Sequence, residues 1–301
     1  MKELKGTVIP MITPFTDNDT VDVEDVRREV DYLIDAGMDA LYPCGTTGEM
    51  MYLTAEERKL VAAVTVEQAA GRVPVFVHVG AWSQASTIEL AQHAVAIGAD
   101  GIGVVTPVFF KLSDKALFEF YKAVSDSVPA DFPIYLYGIP QCAVNDISPE
   151  LADKLAKACP NIIGIKYSLG DFTKLQKFTQ VNGGRFSVLA GPDHMMAAFM
   201  AIGGKGVVSG NAMCVPEHYV ALAKAIEEKD SELVKTLQVR TNIFNEILCR
   251  NNNIAVYKAV MKDKGIIKSL AMRRPMEALT PEEAEAMMAE LKGLDYDKVL
   301  V

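Results

Sequence analysis

No part of the chain approaches the roughly 18–20 consecutive apolar residues of a membrane-spanning helix. The five cysteines, Cys44, Cys142, Cys159, Cys214 and Cys249, are scattered, odd in number and without a C-x-x-C pair. That spacing argues against a disulfide scaffold and against a cysteine zinc site. The four histidines, His78, His93, His194 and His218, show neither H-x-x-H nor H-x-x-x-H spacing, so no metal is expected. Positive charge is in deficit: 30 Lys and Arg stand against 39 Asp and Glu, for a net charge of −9. This balance argues against nucleic acid or an anionic membrane as a partner. No G-x-G-x-x-G follows the first apolar run, which weakens a dinucleotide-binding reading. The cluster Gly203-Gly204-Lys205-Gly206 precedes a strand instead of opening a helix and reads as a turn. The opening MKELKGTVIPMITPF lacks the charged-then-apolar pattern of a secretory signal, and a cytoplasmic protein is the expectation.

What is present is ample core and a regular alternation. Half of the 301 residues are hydrophobic. Short apolar, β-branched runs read as strands at 7–12, 40–43, 73–79, 101–105, 132–137, 162–166, 186–190 and 206–209. Between and after them, helical spacing occupies 22–36, 54–71, a segment from Ser83 or Ser86 to Gly98, 113–128, 148–159, 171–181, 193–202 and 215–228. Thr54 with Glu57 forms a capping box, and Pro149 sits in a first helical turn. The strands are continuous apolar runs, as in a parallel sheet covered by helices. Eight strand–helix units in about 225 residues match a (β/α)8 barrel, with an open doubly wound sheet as the alternative. From about Ser231 the strands stop, and 231–250, 254–264 and 281–292 have helical spacing. The expected fold class is therefore α/β: a (β/α)8 TIM barrel over residues 1–230 with a C-terminal helical extension over 231–301.

In such a barrel, function sits in the loops at the carboxyl ends of the strands. The sixth strand, Ile162-Ile163-Gly164-Ile165-Lys166, ends on a lysine. Burial disfavours an ammonium, and an amine held neutral is a nucleophile toward carbonyls. A lysine at a strand end can also run its stem out to solvent. The fifth strand ends on Tyr137, a neighbour of Lys166 if the strands pair in order. A tyrosine hydroxyl beside the amine can carry protons as a carbinolamine forms and dehydrates; a barrel filler is the alternative. The second strand leads into Gly45-Thr46-Thr47-Gly48-Glu49, which offers two hydroxyls and backbone amides to a carboxylate, or is a plain turn before a helix. Together these residues describe a 2-oxo acid held by its carboxylate, with its ketone captured by Lys166. Cys44 and Cys142 flank this chemistry and read as small buried apolar residues. Arg273, just before the last helix, reads as a subunit-interface or capping residue.

G-T-T-G-E after the second strand, L-Y-x-x-P after the fifth and G-I-K after the sixth resemble the dihydrodipicolinate synthase / N-acetylneuraminate lyase family. The resemblance runs from about residue 4 into the helical end. It implies a class I, Schiff-base lyase on a TIM barrel, without metal or nucleotide, acting on pyruvate or another 2-oxo acid and an aldehyde, as a homo-oligomer (tetramer or dimer). By that resemblance Lys166 forms the imine, Tyr137 relays protons, and Thr46 and Thr47, with Gly45, hold the carboxylate; Thr46 is also expected to move protons with Tyr137. Val208 lies against the pyruvate, Gly191 forms the pocket wall, and Ser168 keeps a hydroxyl where lyases and sugar-acid aldolases use one. Asp193 and Ser209, in the loops after the seventh and eighth strands, complete the expected substrate contacts.

Two departures bear on substrate. The synthases carry an arginine for aspartate semialdehyde in the loop after the tyrosine; here Tyr137-Gly138-Ile139-Pro140-Gln141-Cys142 puts Cys142 at that position. A thiol does not replace a bidentate guanidinium. The family's second tyrosine falls in Thr106-Pro107-Val108-Phe109-Phe110, where the candidates are phenylalanines. The expected activity is thus reversible cleavage of a 2-keto-3-deoxy acid to pyruvate and an aldehyde. The alternatives are 4-hydroxy-tetrahydrodipicolinate synthesis, N-acetylneuraminate cleavage, and a non-catalytic barrel that binds a 2-oxo acid.

Overall fold

Proline and local capping side chains set where the elements begin and end. A computed structural model of the chain describes residues 1–250 and 253–299. In chain order the elements are β1 (Gly6–Ile9), α1 (Val23–Asp35), β2 (Ala40–Leu41), α2 (Ala55–Ala69), β3 (Phe76–His78), α3 (Gln84–Ala96), β4 (Gly101–Val105) and α4 (Asp114–Asp126). Then come β5 (Ile134–Gly138), α5 (Pro149–Ala158), β6 (Ile162–Tyr167), α6 (Phe172–Phe178), β7 (Ser187–Ala190), α7 (Met196–Ala201), β8 (Gly206–Val208) and α8 (Pro216–Glu228). Three further helices close the chain: α9 (Ser231–Leu248), α10 (Asn253–Asp263) and α11 (Pro281–Gly293). Eight strands thus alternate with eight helices before the chain turns wholly helical.

The expected strands are trimmed at their ends. β1 stops at Ile9 because Pro10 has no N–H to give a ladder. The residues Val73–Val75 and Val79 lie outside β3, and Phe132-Pro133 outside β5. β6 runs one residue further than expected, to Tyr167. Of the two candidate serines, Ser83 caps α3, its side chain accepting from the Ser86 N–H. The Thr54 capping box is complete, and Thr280 forms a second one at α11. The segment after β6 is shorter than its periodicity suggests. α6 ends at Phe178, and Asn182 and Gly183 adopt left-handed backbone before β7. Asp193–Met195 is a 3-10 turn leading into α7.

Chain contacts divide the described residues into two compact units. One comprises Met1–Lys5 and Pro74–Val208; the other comprises Gly6–Val73 and the chain from Ser209 onward. In the first unit six strands pair in parallel in the order β3-β4-β5-β6-β7-β8. Every residue of β4 and β5 is buried, as a sheet covered on both faces requires. Successive residues of a strand face opposite sides, so Tyr135 and Tyr137 share one face of β5 and Gly164 and Lys166 share one face of β6. The Tyr135 ring occupies the space beside Gly164, where an added Cβ would lie 2.4 Å from it. Its hydroxyl donates to Ser187 Oγ at 2.8 Å and accepts from the Leu4 N–H at 2.9 Å. Tyr135 therefore forms a filled layer one step below Tyr137.

In the second unit β1 pairs in parallel with β2, Val8 opposite Ala40 and Ile9 opposite Leu41. The Tyr42 N–H extends this ladder to the Ile9 carbonyl at 2.8 Å. The helices α8 to α11 belong to the same unit. His218 of α8 is buried, with Nε2 near Leu237 O (3.1 Å) and Thr241 Oγ1 (3.0 Å) of α9. Burial pushes its imidazole down to about 4, so it is neutral at pH 7. Among the described residues no helix is long and apolar enough to cross a membrane, and no group of three His, Cys, Asp or Glu is placed to hold a metal ion.

Candidate active site

Register places the first pair of candidate residues. β5 and β6 run parallel with Tyr137 opposite Lys166. Both side chains leave the sheet on the same face, and Lys166 Nζ lies 4.2 Å from the centre of the Tyr137 ring. Lys166 is 5 % exposed, so its stem does not run out to solvent. The His78 ring, from β3, meets the Tyr137 ring edge-on with centroids 5.7 Å apart. An amine, a phenol and an imidazole thus share one sheet face near the strand ends.

The backbone ladder continues past the strands and fixes the loop residues beyond Lys166. The Ser168 N–H donates to Gly138 O, and the Gly191 N–H donates to Tyr167 O, both at 2.8 Å. Ser168 and Gly191 are packed backbone to backbone. A Cβ on Gly191 would lie 2.5 Å from Ser168 Oγ and 2.8 Å from Ser168 Cα, and this close approach is what glycine permits there. Two residues beyond Gly191, Asp193 is buried at the start of its 3-10 turn. Val208 ends β8 and is 4 % exposed. Tyr167 leaves β6 on the opposite face from Lys166. Its hydroxyl donates to Asp146 at 3.3 Å, and burial raises its phenol. Lys174 pairs with the same carboxylate.

The threonine loop belongs to the second unit. The Gly48 and Met50 N–H groups donate to Gly45 O at 3.1 and 3.3 Å, and the Glu49 N–H donates to Thr46 O at 3.1 Å. Cys44 and Glu49 bracket the loop in left-handed backbone, with φ of 61° and 59°. For residues other than glycine this costs on the order of 1–3 kcal/mol each. Gly48 has neighbours on every side, including Met11 O and Thr13 Oγ1 at 3.2 Å from an added Cβ, and Thr13 donates to Gly48 O at 2.8 Å. Within the loop Gly45, Gly48 and Glu49 are buried, whereas Thr46 and Thr47 are half-buried. The turn therefore presents its two hydroxyl residues. Ser209 is buried; its N–H donates to Val8 O at 3.1 Å and its hydroxyl accepts from the Ala212 N–H at 3.2 Å. That hydroxyl meets the first turn of the helical segment Asn211–Cys214.

One sequence reading changes and one stands. Cys142, expected as a buried small apolar residue, is exposed because Pro140–Ala143 forms a helical turn that points it outward. Arg273, which the sequence leaves between an interface and a cap, pairs with Glu57 of α2 at 2.8 Å and lies 4.6 Å from the Phe15 ring. Cys44 is buried as expected, its thiol pushed up to about 11 by burial. Phe109 and Phe110 stack edge-on at 5.0 Å and are about 70 % exposed. Sequence reasoning missed His78, whose only signal is its place in a strand. It also missed Glu49, which sits inside a motif whose threonines draw the attention.

The geometry is that of a buried lysine beside a tyrosine at the end of a parallel strand pair. Comparison with known proteins makes this specific. Residues 3–294 match the Dihydrodipicolinate synthetase family. A 4-hydroxy-tetrahydrodipicolinate synthase of Citrifermentans bemidjiense is 36 % identical over 298 residues, covering 99 % of both chains. The crystal structure of dihydrodipicolinate synthase from Aquifex aeolicus superposes with a TM-score of 0.92 at 31 % identity, covering 98 % of this chain and 99 % of that one. YagE, a prophage protein of E. coli K12 from the same family, crystallised in complex with pyruvate, gives a TM-score of 0.92 at 30 % identity, covering 97 % and 99 %. The fold is the (β/α)8 barrel, and the open doubly wound alternative is set aside. The chain belongs to the dihydrodipicolinate synthetase family, and with it to the class I, pyruvate-dependent Schiff-base lyases.

Proposed function

We propose that the protein is an aldolase that reversibly cleaves a 2-keto-3-deoxy acid to pyruvate and an aldehyde. The observation that carries this choice within the family is Cys142. An exposed thiol stands where the synthases carry an arginine. Without that guanidinium the aldehyde half has no bidentate carboxylate partner at this position, whereas a neutral, hydroxylated aldehyde needs none.

Each step uses a named residue. Lys166, as the free amine, attacks the C2 ketone, and the carbinolamine loses water to give a protonated imine. Thr46, Thr47 and the Gly45 turn receive the carboxylate. Tyr137 with Thr46 takes the proton from the C4 hydroxyl. The C3–C4 bond breaks, its electron pair moves into the imine, and the aldehyde departs. Protonation at C3 of the remaining enamine and addition of water release pyruvate and regenerate Lys166. Val208 and Gly191 bound the three-carbon end; Ser168, Asp193 and Ser209 meet the hydroxylated end. The imine is its own electron sink, so the reaction calls for no metal or nucleotide. We also infer that residues 1–230 act as the catalytic barrel and 231–301 as a helical extension, in a cytoplasmic homo-oligomer of two or four copies. The family resemblance supports the assembly.

A second reading is 4-hydroxy-tetrahydrodipicolinate synthesis from pyruvate and aspartate semialdehyde, favoured by the names of the curated relatives. A lactate-dehydrogenase-coupled assay separates the two. Pyruvate release from 2-keto-3-deoxygluconate or a related acid, with no pyruvate consumption on adding aspartate semialdehyde, is the expected result. The reverse pattern would favour the synthase.

A further inference from the structure

Glu49 closes the threonine loop, yet its side chain has no solvent exposure. Its Oε1 accepts from Lys258 Nζ at 2.5 Å and its Oε2 from the Arg273 backbone N–H at 2.8 Å. Lys258, in α10, is also wholly buried; it donates to Ala271 O at 2.7 Å and lies 4.4 Å from the Phe15 ring. Glu29, buried in the same unit, accepts from the Ile12 N–H at 3.0 Å, and burial holds its carboxyl well above the usual range. Glu49 is the carboxylate that Lys258 contacts directly. The connection to the loop is direct. The Glu49 N–H binds Thr46 O at 3.1 Å, and Glu49 holds a left-handed backbone that nothing in its own side chain favours. A movement of Glu49 therefore moves Thr46.

We propose that Lys258 is a positioning residue: by clamping Glu49 it sets the pose in which Thr46 and Thr47 meet the carboxylate of the 2-oxo acid. This rests on the function proposed above.

The test uses the full chain with Lys258→Met and with the double variant Glu49→Gln/Lys258→Met. The readouts are the pyruvate concentration for half-maximal borohydride trapping on Lys166, the trapped fraction at saturation, and the thermal midpoint. Lys258→Met is expected to raise the half-saturating pyruvate about ten- to a hundredfold, with full trapping at saturation. The double variant, relieved of the unpaired carboxylate, is expected to regain most of the midpoint while keeping the raised half-saturation. A purely structural pair would move the midpoint alone. Half-saturation within about twofold of the wild type in either folded variant overturns the proposal, as does a lower trapped fraction at unchanged half-saturation. If the single variant does not fold, the double variant decides; if neither folds, Lys258 is a folding element and the proposal falls. A wild-type protein that takes no adduct on Lys166 overturns the function itself, which is a separate result.

Discussion

The β5–β6 strand pair and the loop after β2 bring their chemistry into position by different means. Tyr137 and Lys166 are opposed by ladder register, with backbone hydrogen bonds on each side of them. Their placement depends little on what the side chains themselves do. The Thr46–Thr47 loop has strained backbone at Cys44 and Glu49 and is held by side chains distant in sequence; Lys258 lies 209 residues from Glu49. The difference teaches that substitutions in the strand pair change chemistry on an intact fold. Substitutions around the loop change affinity and stability together.

Lys166→Ala gives the sharpest break in this comparison. It should lower pyruvate release on the order of 10⁴-fold or more on a chain that still folds, because ladder register and not this side chain holds the strand pair. A residual rate within tenfold would mean that another group forms the imine. Tyr137→Phe should cost about 10²–10⁴-fold in turnover while Lys166 still takes the pyruvate adduct. A loss confined to KM would remove Tyr137 from proton transfer.

On the loop side, Lys258→Met strands a buried carboxylate and should cost roughly 3–5 kcal/mol in urea unfolding, most of it restored when Glu49→Gln is added. Equal and additive losses would mean that the two groups do not pair. Gly191→Ala brings a methyl group into Ser168 backbone and should cost about 1–3 kcal/mol, measured by the same unfolding. Unchanged stability would place slack between those strand ends.

The smallest effect is one of pH. Glu29 has a folded-state carboxyl raised above the ordinary 4.5 by burial. Between its unfolded and folded values such a group keeps its proton in the fold and loses it when unfolded, so it withdraws stability as pH rises above 4.5. Glu29→Gln should therefore be more stable than the wild type at neutral pH, with the advantage vanishing as pH falls to about 4.5. An advantage that persists in acid would point to packing instead.

The two regions were also unequally legible in the sequence. The alternation of elements could be read because the strands are short apolar runs and several helices carry a capping side chain, as at Thr54, Ser113 and Ser148. The opposition of Tyr137 and Lys166 could be read because consecutive parallel strands pair in order. The Glu49–Lys258 pair could not. Each is an ordinary charged residue with no local pattern, and only tertiary packing buries both. The same limit applies to Cys142, whose exposure is set by the Pro140–Ala143 turn. It applies again to the segment after Phe178, where Asn182 and Gly183 take left-handed backbone and end a pattern that reads as helix.

The central claim is that Lys166 is the carbonyl nucleophile, and one measurement addresses it directly. The wild-type protein is incubated with pyruvate, reduced with borohydride, digested and mapped by mass spectrometry. The account predicts a single reduced pyruvate adduct on the peptide carrying Lys166, absent in Lys166→Ala. An adduct on another lysine, or none at saturating pyruvate, would contradict it.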